Sequence, residues 1–312
     1  METIEVLFSF IDKETEKHAE SDQSTYLDGL LITLNRWLDA EIKPEVEPTK
    51  EEIRKAIQLA ILKGMRQSSQ PNHQMTPDSL GLLVGYFVEQ FFEKEIKGDH
   101  QITMLDPAIG TANLLMTVMN LLGDKIEGFG IEIDELLIQI AASSAELEGQ
   151  PLSLYLQDAL ENLMIDPVDA VICDLPVGYY PNEEIAKQYD VKADEGMTYA
   201  HHLFIEQSLR YTKDGGYLFF LVPDHLFESE QSQLLNKLIA KTAWIQAVVQ
   251  LPDTLFSSKA HAKSLFVLQK KMDGGKAVKE VLLAKVPNMK NMQALELFFA
   301  KVRKWKKENK AN

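Results

Sequence analysis

Short apolar runs that alternate with amphipathic segments fill residues 102–270, and this alternation constrains the fold more than any other feature. The apolar runs predict strands near residues 102–105, 126–133, 152–156, 168–173, 216–222, 244–251 and 264–270. The remaining segments predict helices near residues 111–122, 135–148, 199–212, 228–240 and 289–308. This order is typical of a mainly parallel, doubly wound α/β sheet, here of seven strands, whose ligands bind beyond the carboxyl ends of the strands.

The first part of the chain has a different pattern, because its apolar residues recur at helical spacing, as in Leu27, Leu30 and Leu34. This spacing predicts an all-α N-terminal domain, in which Thr49 is placed to cap a helix that carries acidic residues in its first turn. We therefore predict three parts: a helical domain over residues 1–97, an α/β domain over 98–288, and a basic C-terminal helix over 289–312.

Composition narrows the class of protein. With 45% hydrophobic and 25% charged residues in 312, the chain is an ordinary globular protein. Its single cysteine, Cys173, excludes an intramolecular disulfide and a cysteine-cluster metal site, and it lies in a predicted buried strand. The apolar N-terminal stretch is too short and too acidic for a signal peptide, and no long uncharged run suggests a membrane span. We therefore expect a cytoplasmic protein.

The distribution of charge bears on possible partners. The net charge of −15 argues against a general nucleic-acid binder, because phosphate contacts need lysine and arginine. Residues 259–312, however, contain 14 basic and four acidic residues, a net charge of +10. This basic C-terminal segment is suited to a polyanion such as DNA, although a lysine-rich helix that only aids solubility has the same composition.

The strongest local motif is the segment ITMLDPAIGTANLL at residues 102–115. A strand ends at Asp106, a turn contains Gly110, and a helix follows at once, so that backbone amides face a ligand beyond the sheet edge. The segment lacks the lysine of a P-loop and the three glycines of a dinucleotide fingerprint, and the acidic residue at the strand end disfavours phosphate. The motif therefore indicates a ligand other than a nucleotide phosphate.

Acidic residues also end or follow the next three strands. Glu132 ends the second strand and is placed to accept hydrogen bonds from the hydroxyls of a ribose. The alternative, that Glu132 and Asp134 only open the next helix and offset its dipole, competes more strongly for Asp134 than for Glu132. Asp158 follows the third strand and could accept a hydrogen bond from the amine of an adenine ring. Asp174 ends the fourth strand, and it is followed by Leu-Pro-Val-Gly and two tyrosines.

In this order and spacing, the motifs resemble the N6-adenine-specific DNA methyltransferase family, in particular the methylation subunits of type I restriction–modification systems and their small stand-alone bacterial relatives. The resemblance covers roughly residues 70–272, and it includes Gln74-Met75-Thr76-Pro77 and the later segments at 214–224 and 245–256. It implies a Rossmann-like class I domain that binds S-adenosylmethionine, and direct methyl transfer from this cofactor to an exocyclic amine.

The resemblance also implies a role for each matching residue. Around the cofactor it assigns a threonine to the methionine carboxylate, a turn to the methionine part, a carboxylate to the ribose, and an apolar and an acidic side chain to the adenine. In this order the cofactor residues are Thr76; Asp106, Ala108, Gly110 and Thr111; Glu132; Ile133; and Asp158 with Ala159. The implied catalytic set consists of Asp174, which also contacts the cofactor, Leu175, Pro176 and Tyr179.

The catalytic motif departs from the family pattern, which reads Asn or Asp, then Pro, Pro and an aromatic residue. In that family the first side chain and a backbone carbonyl hold the target amine, and the aromatic ring stacks on a base flipped out of the duplex. Here Leu175 replaces the first proline and Val177 replaces the aromatic residue. Tyr179 or Tyr180 supplies the ring if the loop after Gly178 folds back; otherwise both tyrosines pack or line a pocket.

Three functions therefore stay open. The leading one is methylation of DNA adenine; the others are methylation of RNA or of protein glutamine, and a catalytically eroded cofactor-binding protein that regulates or scaffolds. Only a short polar loop lies between Tyr180 and Thr198, and only a small tail follows residue 272, so recognition of a DNA sequence would need the helical N-terminal part, the basic segment or a partner specificity subunit. His201 and His202 open a helix without a second ligand cluster, so that a capping or core role is expected and no metal site.

Overall fold

The computed structural model describes residues 2–67, 75–256 and 261–309. Its helices are α1 (Thr3–Asp22), α2 (Tyr26–Leu38), α3 (Lys50–Gln67), α4 (Asp78–Phe91), α5 (Glu93–Lys97), α6 (Asn113–Leu122), α7 (Glu135–Glu148), α8 (Glu183–Ala186), α9 (Ala200–Arg210), α10 (Ser232–Thr242) and α11 (Met292–Asn309). Its strands are β1 (Ile102–Asp106), β2 (Ile126–Glu132), β3 (Leu152–Leu156), β4 (Val168–Asp174), β5 (Thr212–Pro223), β6 (Ala243–Gln250), β7 (Lys263–Lys270) and β8 (Leu282–Lys285).

The chain divides into two compact units. The first unit joins residues 1–82 to residues 109–158, and the second joins residues 83–108 to residues 159–312. Within the described ranges, no helix is both long and apolar enough to cross a membrane. The domain boundaries at residues 97 and 288 stay predictions.

The helices α1, α2, α3 and α7 of the first unit share one apolar core. Residues at helical spacing, such as Leu30 with Leu34 and Ile57 with Ile61, lie in this core, and Ile140 joins it from α7. The expected cap of α3 is present, because the Glu52 N–H donates to Oγ1 of Thr49 at 3.3 Å and the Thr49 N–H donates back to Glu52 at 2.8 Å. The helical pattern of the N-terminal sequence is thus confirmed.

Strands β2 and β3 of the first unit pair in parallel, with Glu132 opposite Leu156. In the second unit the strand order is β1-β4-β5-β7-β6-β8. There β7 pairs antiparallel with both β5 and β6, while the β1–β4, β4–β5 and β6–β8 pairs are parallel. The mainly parallel α/β pattern is confirmed.

The predicted number of seven strands is wrong, because the described residues contain eight. The additional strand, β8, has four residues, fewer than any of the other seven strands, and its Leu283 is exposed, so its apolar run is too short to be recognised in the sequence. Helix α6 also begins two residues later than expected. Ala112 has φ +67°, a left-handed conformation that an α-helix cannot include, so the helix starts at Asn113.

A buried carboxyl group lies at the end of α7. Glu148 is only 1% exposed, and its Oε2 accepts a hydrogen bond of 3.3 Å from Asn120, whereas Oε1 has no hydrogen-bond partner among the described residues. Burial raises the pKa of Glu148 to about 8, although the nearby charge of Arg54 works in the opposite direction. The folded protein therefore favours the protonated form of this side chain.

Replacing Glu148 with glutamine is expected to remove a pH dependence of stability. The unfolded chain releases this proton near pH 4.5 and the folded chain near pH 8, so the wild type loses stability as pH rises through this window, by up to about 1.4 kcal/mol per pH unit. Urea unfolding of wild type and E148Q at about pH 5 and about pH 8 measures the difference. E146Q, at an exposed position of the same helix, is the control, and parallel profiles for wild type and E148Q would contradict the expectation.

Candidate functional site

In the first unit, the glycine turn after β1 is tied to the end of β2. The Gly110 N–H donates to Oε2 of Glu132 at 2.8 Å, and the Ile109 N–H donates to the Ile131 carbonyl at 3.0 Å. Gly110 has φ +55°, which disfavours any side chain, and a Cβ at this position would meet no atom within 4 Å. The backbone therefore borders open space, which is the room that a ligand needs beside it.

Glu132 holds two turns with one carboxylate. Besides Gly110, it binds the N–H groups of Ile133 at 2.9 Å and Asp134 at 3.0 Å through Oε1. A carboxylate offers about four lone-pair directions, so these three backbone bonds leave about one for a ribose hydroxyl. The alternative role of Asp134 is confirmed, because its side chain accepts from the Leu137 N–H at 3.0 Å and caps α7.

The remaining residues of the predicted adenosine site in this unit lie at the same end of the strand pair. The Gln157 N–H donates to the Glu132 carbonyl at 3.0 Å, so Asp158 follows directly at the carboxyl end of β3. Ile133 is 68% exposed, although its side chain is apolar. The structure thus brings Gly110, Glu132 and Asp158 to one edge, while their contacts to a cofactor stay predictions.

Thr76 is buried and is connected to the N-terminal helices by a polar network that the sequence did not reveal. The side-chain amide of Asn113 donates to the Thr76 carbonyl at 2.7 Å, and Arg54 of α3 donates to Oδ1 of Asn113 at 2.8 Å. Arg54 also binds both carboxylate oxygens of Asp78, at 2.9 and 2.8 Å. Burial favours a higher pKa for Asp78, but Arg54 lowers it below the ordinary value.

Arg54 therefore holds the segment that contains Thr76 and the first turn of α6 in place through its hydrogen bonds to Asp78 and Asn113. Its side chain is 3% exposed, and it interrupts an apolar helical face that begins with Ile53 and Ile57. An arginine on such a face is the sequence signal that could have identified it. Thr111 lies beside this network and contacts the sulfur of Met75 at 3.9 Å. Gln74, the first residue of this motif, lies outside the described residues.

Loss of the Arg54 side chain is expected to weaken cofactor binding as well as folding. In R54M the fork of hydrogen bonds to Asp78 and Asn113 is lost, and leaving buried partners unpaired costs about 3 kcal/mol of stability. We expect the dissociation constant for S-adenosylmethionine, measured by calorimetry on folded protein, to rise roughly tenfold. R54K, which keeps the charge without the fork, is expected to be intermediate.

R36M is the matched control for this prediction. Arg36 also belongs to an N-terminal helix and pairs with Glu41 at 2.8 Å, but it does not contact Asn113 or Thr76. Unchanged cofactor affinity in folded R54M would show that the network supports the fold only.

In the second unit, two of the predicted cofactor residues are held by their own neighbours. Asp106 is buried at the end of β1, and its Oδ1 accepts from the Ala108 N–H at 3.1 Å, which shapes the start of the turn. Ala159 is also buried, and its carbonyl accepts from the Gln207 side chain at 2.7 Å. The same amide binds the carbonyl of Glu161 at 2.7 Å. Gln207 of α9 thus fixes the loop after Asp158, a role that no local motif indicated.

The predicted catalytic segment begins at Asp174, the last residue of β4. Asp174 forms an ion pair with Lys263, the first residue of β7, which the sequence analysis missed because the two lie 89 positions apart. Leu175 is buried, and its N–H donates to the Leu221 carbonyl at 3.2 Å, so the backbone continues the strand pairing beyond Asp174. Pro176 comes next, and the exposed Val177 occupies the position of the missing aromatic residue.

The two tyrosines after Gly178 have different environments. Tyr180 is buried, and its N–H donates to the Thr198 carbonyl at 2.9 Å. Tyr179 is 52% exposed, pairs with Tyr199 in an antiparallel bridge, and stacks on the ring of that residue with 4.8 Å between centroids. The loop therefore folds back on the start of α9, as the use of Tyr179 as a stacking ring requires, while Tyr180 packs.

Other candidate residues lie in the core. His201 and His202 are buried in α9, and burial lowers the pKa of their rings to about 3 and about 4. Burial, followed by the charges of Asp106 and Asp174, raises the pKa of the Cys173 thiol. In the described part of the chain, no group of three or more His, Cys, Asp and Glu side chains is arranged to hold a metal ion.

Two protein-family models match this chain. Residues 74–308 match N-6 DNA methylase, and residues 43–65 match the YtxK N-terminal helical domain. The second range contains Arg54, so the arginine that binds Asp78 and Asn113 belongs to the region that matches this helical domain.

Similar proteins extend over most of the chain. YtxK of Bacillus subtilis is 51% identical over 261 residues, which are 83% of this chain and 78% of YtxK. A crystal structure from Listeria monocytogenes, assigned to the class I S-adenosylmethionine-dependent methyltransferases, is 40% identical with a TM-score of 0.90 and covers 97% of this chain and 98% of its own. The methyltransferase subunit of a type I restriction–modification system from Streptococcus thermophilus shares the fold, with a TM-score of 0.63, 17% identity, and coverage of 81% and 58%.

Proposed function

Because this chain belongs to the N-6 DNA methylase family, we propose that it transfers a methyl group to the exocyclic N6 amine of adenine in DNA. The family match and the similar crystal structure confirm three expectations from the motifs: the family, the class I methyltransferase fold and the cofactor S-adenosylmethionine. The acceptor and the residues that bind it are the proposed part.

The groups around Gly110 fit an adenosyl ligand. Open space borders the glycine backbone, a carboxylate with about one lone-pair direction left lies at Glu132, and an exposed apolar side chain follows at Ile133. In this proposal Glu132 binds the ribose, Ile133 covers the adenine, and Asp158 accepts from the adenine amine. S-adenosylmethionine supplies an electrophilic methyl group on a sulfonium sulfur.

Asp174 and the following backbone would hold the acceptor amine. The lone pair of an exocyclic amine is delocalised into its ring, so acceptors must fix the two N–H bonds and leave the lone pair directed at the methyl carbon. The Asp174 carboxylate and a carbonyl of Leu175 or Pro176 are suited to this task. The amine held in this way would take up the methyl group that S-adenosylmethionine supplies and would release one proton to solvent.

The observation that carries the proposal is the exposed Tyr179 ring that follows Asp174 and stacks on Tyr199. A half-exposed aromatic ring in the loop that follows a hydrogen-bond acceptor is suited to a planar base, since stacking on a side chain replaces the stacking lost when the base leaves the duplex. Tyr179 would thereby take the place of the aromatic residue of the family pattern, which Val177 replaces in this sequence.

The changed motif also favours a second candidate. Leu175 and Val177 replace a proline and an aromatic residue of the family pattern, as expected for a protein that binds S-adenosylmethionine but no longer turns over. An RNA base or a glutamine amide is an alternative acceptor, because each offers a conjugated nitrogen that carries hydrogens.

If DNA is the substrate, recognition of a DNA sequence would depend on the N-terminal helices or on a partner such as a specificity subunit.

The test is methyl transfer from labelled S-adenosylmethionine by purified, ligand-free protein to DNA, RNA and protein fractions, with N6-methyladenine measured by mass spectrometry. We expect label in DNA, and we expect D174A to reduce the rate on the order of a hundredfold because an acceptor of the amine is lost. D214A, which removes an exposed carboxylate of β5, is the control. Label in RNA or protein alone would replace the substrate, and cofactor binding without transfer would favour the second candidate.

Helix α11 is the proposed contact with DNA. Its apolar face is buried through Phe298, Val302 and Trp305, and the Trp305 indole N–H donates to the Glu280 carbonyl at 2.8 Å. The opposite face carries the exposed Lys304 and Lys307, whereas Lys301 donates to the Leu283 carbonyl at 3.3 Å. A fixed helix that presents cations on its exposed face is suited to a phosphate backbone. Residues 259–260 and 310–312 of the basic segment lie outside the described residues.

Neutralising two cations of α11 is expected to weaken DNA binding and its dependence on salt. Each phosphate contact contributes about 0.9 to the slope of log K against log salt, so K304Q/K307Q should reduce that slope by up to about two. Fluorescence anisotropy with duplex DNA over a salt series measures both quantities. K13Q/K17Q, with the same change of charge on exposed positions of α1, is the control. An equal slope in both double variants would exclude α11 as the contact.

A further inference from the structure

The ion pair between Asp174 and Lys263 lies where the acceptor is proposed to bind. β7 runs antiparallel to β5 with Lys263 opposite Pro223, so the first residue of β7 lies at the edge where β5 ends. β4 is parallel to β5 with Asp174 opposite Leu221, so β4 ends at this edge too. The carboxyl-terminal residues of the parallel strands β4 and β5 lie at this edge. Because β7 runs in the opposite direction, its first residue, Lys263, lies there as well and adds a cation.

This pair is partly open to solvent. The Asp174 side chain is 18% exposed and the Lys263 side chain 21% exposed, so neither is sealed in the core. An ammonium carries three N–H donors, of which one is directed at Asp174. The two side chains therefore present an acceptor and a donor next to each other.

The Watson–Crick edge of adenine has the complementary arrangement. Its N6 amine donates hydrogen bonds, and the neighbouring ring nitrogen N1 accepts one. A simple alkyl amine or a hydroxyl has no acceptor beside the reacting group. A site that pairs a carboxylate with an ammonium can therefore distinguish an amine conjugated to a ring nitrogen from an isolated amine.

We infer that Lys263 is a specificity-determining residue that donates a hydrogen bond to the ring nitrogen beside the reacting amine, while Asp174 accepts from that amine. The inference rests on the proposed function, since it concerns the same site. It narrows the substrate class to amines that have a hydrogen-bond acceptor on the adjacent ring atom.

Lys263 also offsets the charge of Asp174, and a role limited to this effect would make the lysine indifferent to the acceptor atom of the substrate. The two roles differ in one measurable respect. A direct hydrogen bond makes the effect of changing Lys263 depend on whether the ring atom is nitrogen or carbon. Charge compensation alone makes the two effects independent.

The experiment is a double-mutant cycle with one change in the protein and one in the substrate. Methylation rates at limiting substrate are measured for wild type and K263M on a single-stranded oligonucleotide with one target adenine and on the same strand with 1-deazaadenine, in which N1 is replaced by C–H. We expect 1-deazaadenine to lower kcat/KM of the wild type roughly tenfold to a hundredfold. K263M should be slower on adenine but should show little further loss on 1-deazaadenine, since the bond is already absent.

K263Q is the second variant, because a glutamine is uncharged but keeps an N–H donor, and it should retain part of the discrimination. K270M, at the other end of β7, where Lys270 donates to the Thr212 carbonyl at 2.8 Å, is the control and should discriminate like the wild type. The amine of 1-deazaadenine also differs in basicity from that of adenine. This difference changes the rates of the wild type and of all variants by the same factor, so it cancels in the cycle.

The possible failures are distinguishable. Equal losses on 1-deazaadenine in wild type and in K263M would overturn the specificity role of Lys263 and leave the proposed function intact. No methylation of the adenine strand by the wild type would overturn the proposed function, and this inference with it.

Discussion

The carboxylate of Glu132 accepts hydrogen bonds from three backbone N–H groups. The geometry of the edge at which Gly110, Glu132 and Asp158 lie in the first unit depends on these bonds. Hydrogen bonds to an ionised acceptor are stronger than those between neutral groups, so one side chain fixes the turn after β1 and the turn after β2 together. Gly130 contributes to the same arrangement, because a Cβ there would come within 2.2 Å of Ile109. The acid that the family resemblance assigns to the ribose is thus also a structural residue.

The sequence predicted the fold well where a single element carries the signal. Apolar runs identified seven of the eight strands, and Thr49 was recognised as a helix cap because capping depends on residues a few positions apart. β8 was missed because a strand of four residues is too short to show a distinctive period. The left-handed Ala112, which delays the start of α6, could not be predicted either, since alanine has no preference for that conformation.

The site was predictable to the extent that its residues follow strands. Gly110, Glu132, Asp158 and Asp174 could be proposed from the sequence because the carboxyl ends of parallel strands are recognisable there, and their contacts to a cofactor or an acceptor stay predictions. Arg54, Gln207 and Lys263 were not found, because each reaches the site segments from an element distant in the chain. A similar limit applies to Tyr179, whose role depends on a bridge to Tyr199 that no local pattern indicates.

The separation of 89 positions between Asp174 and Lys263 has a consequence for how the protein matures. Contacts between distant parts of a chain form only after the entropy of closing the intervening loop has been offset, and here that requires β5 and β7 to pair. During synthesis the ribosome releases Asp174 long before its counter-ion. A nascent chain that stops before β7 therefore lacks the ion pair of Asp174 with Lys263, and formation of this pair is a late event in biogenesis.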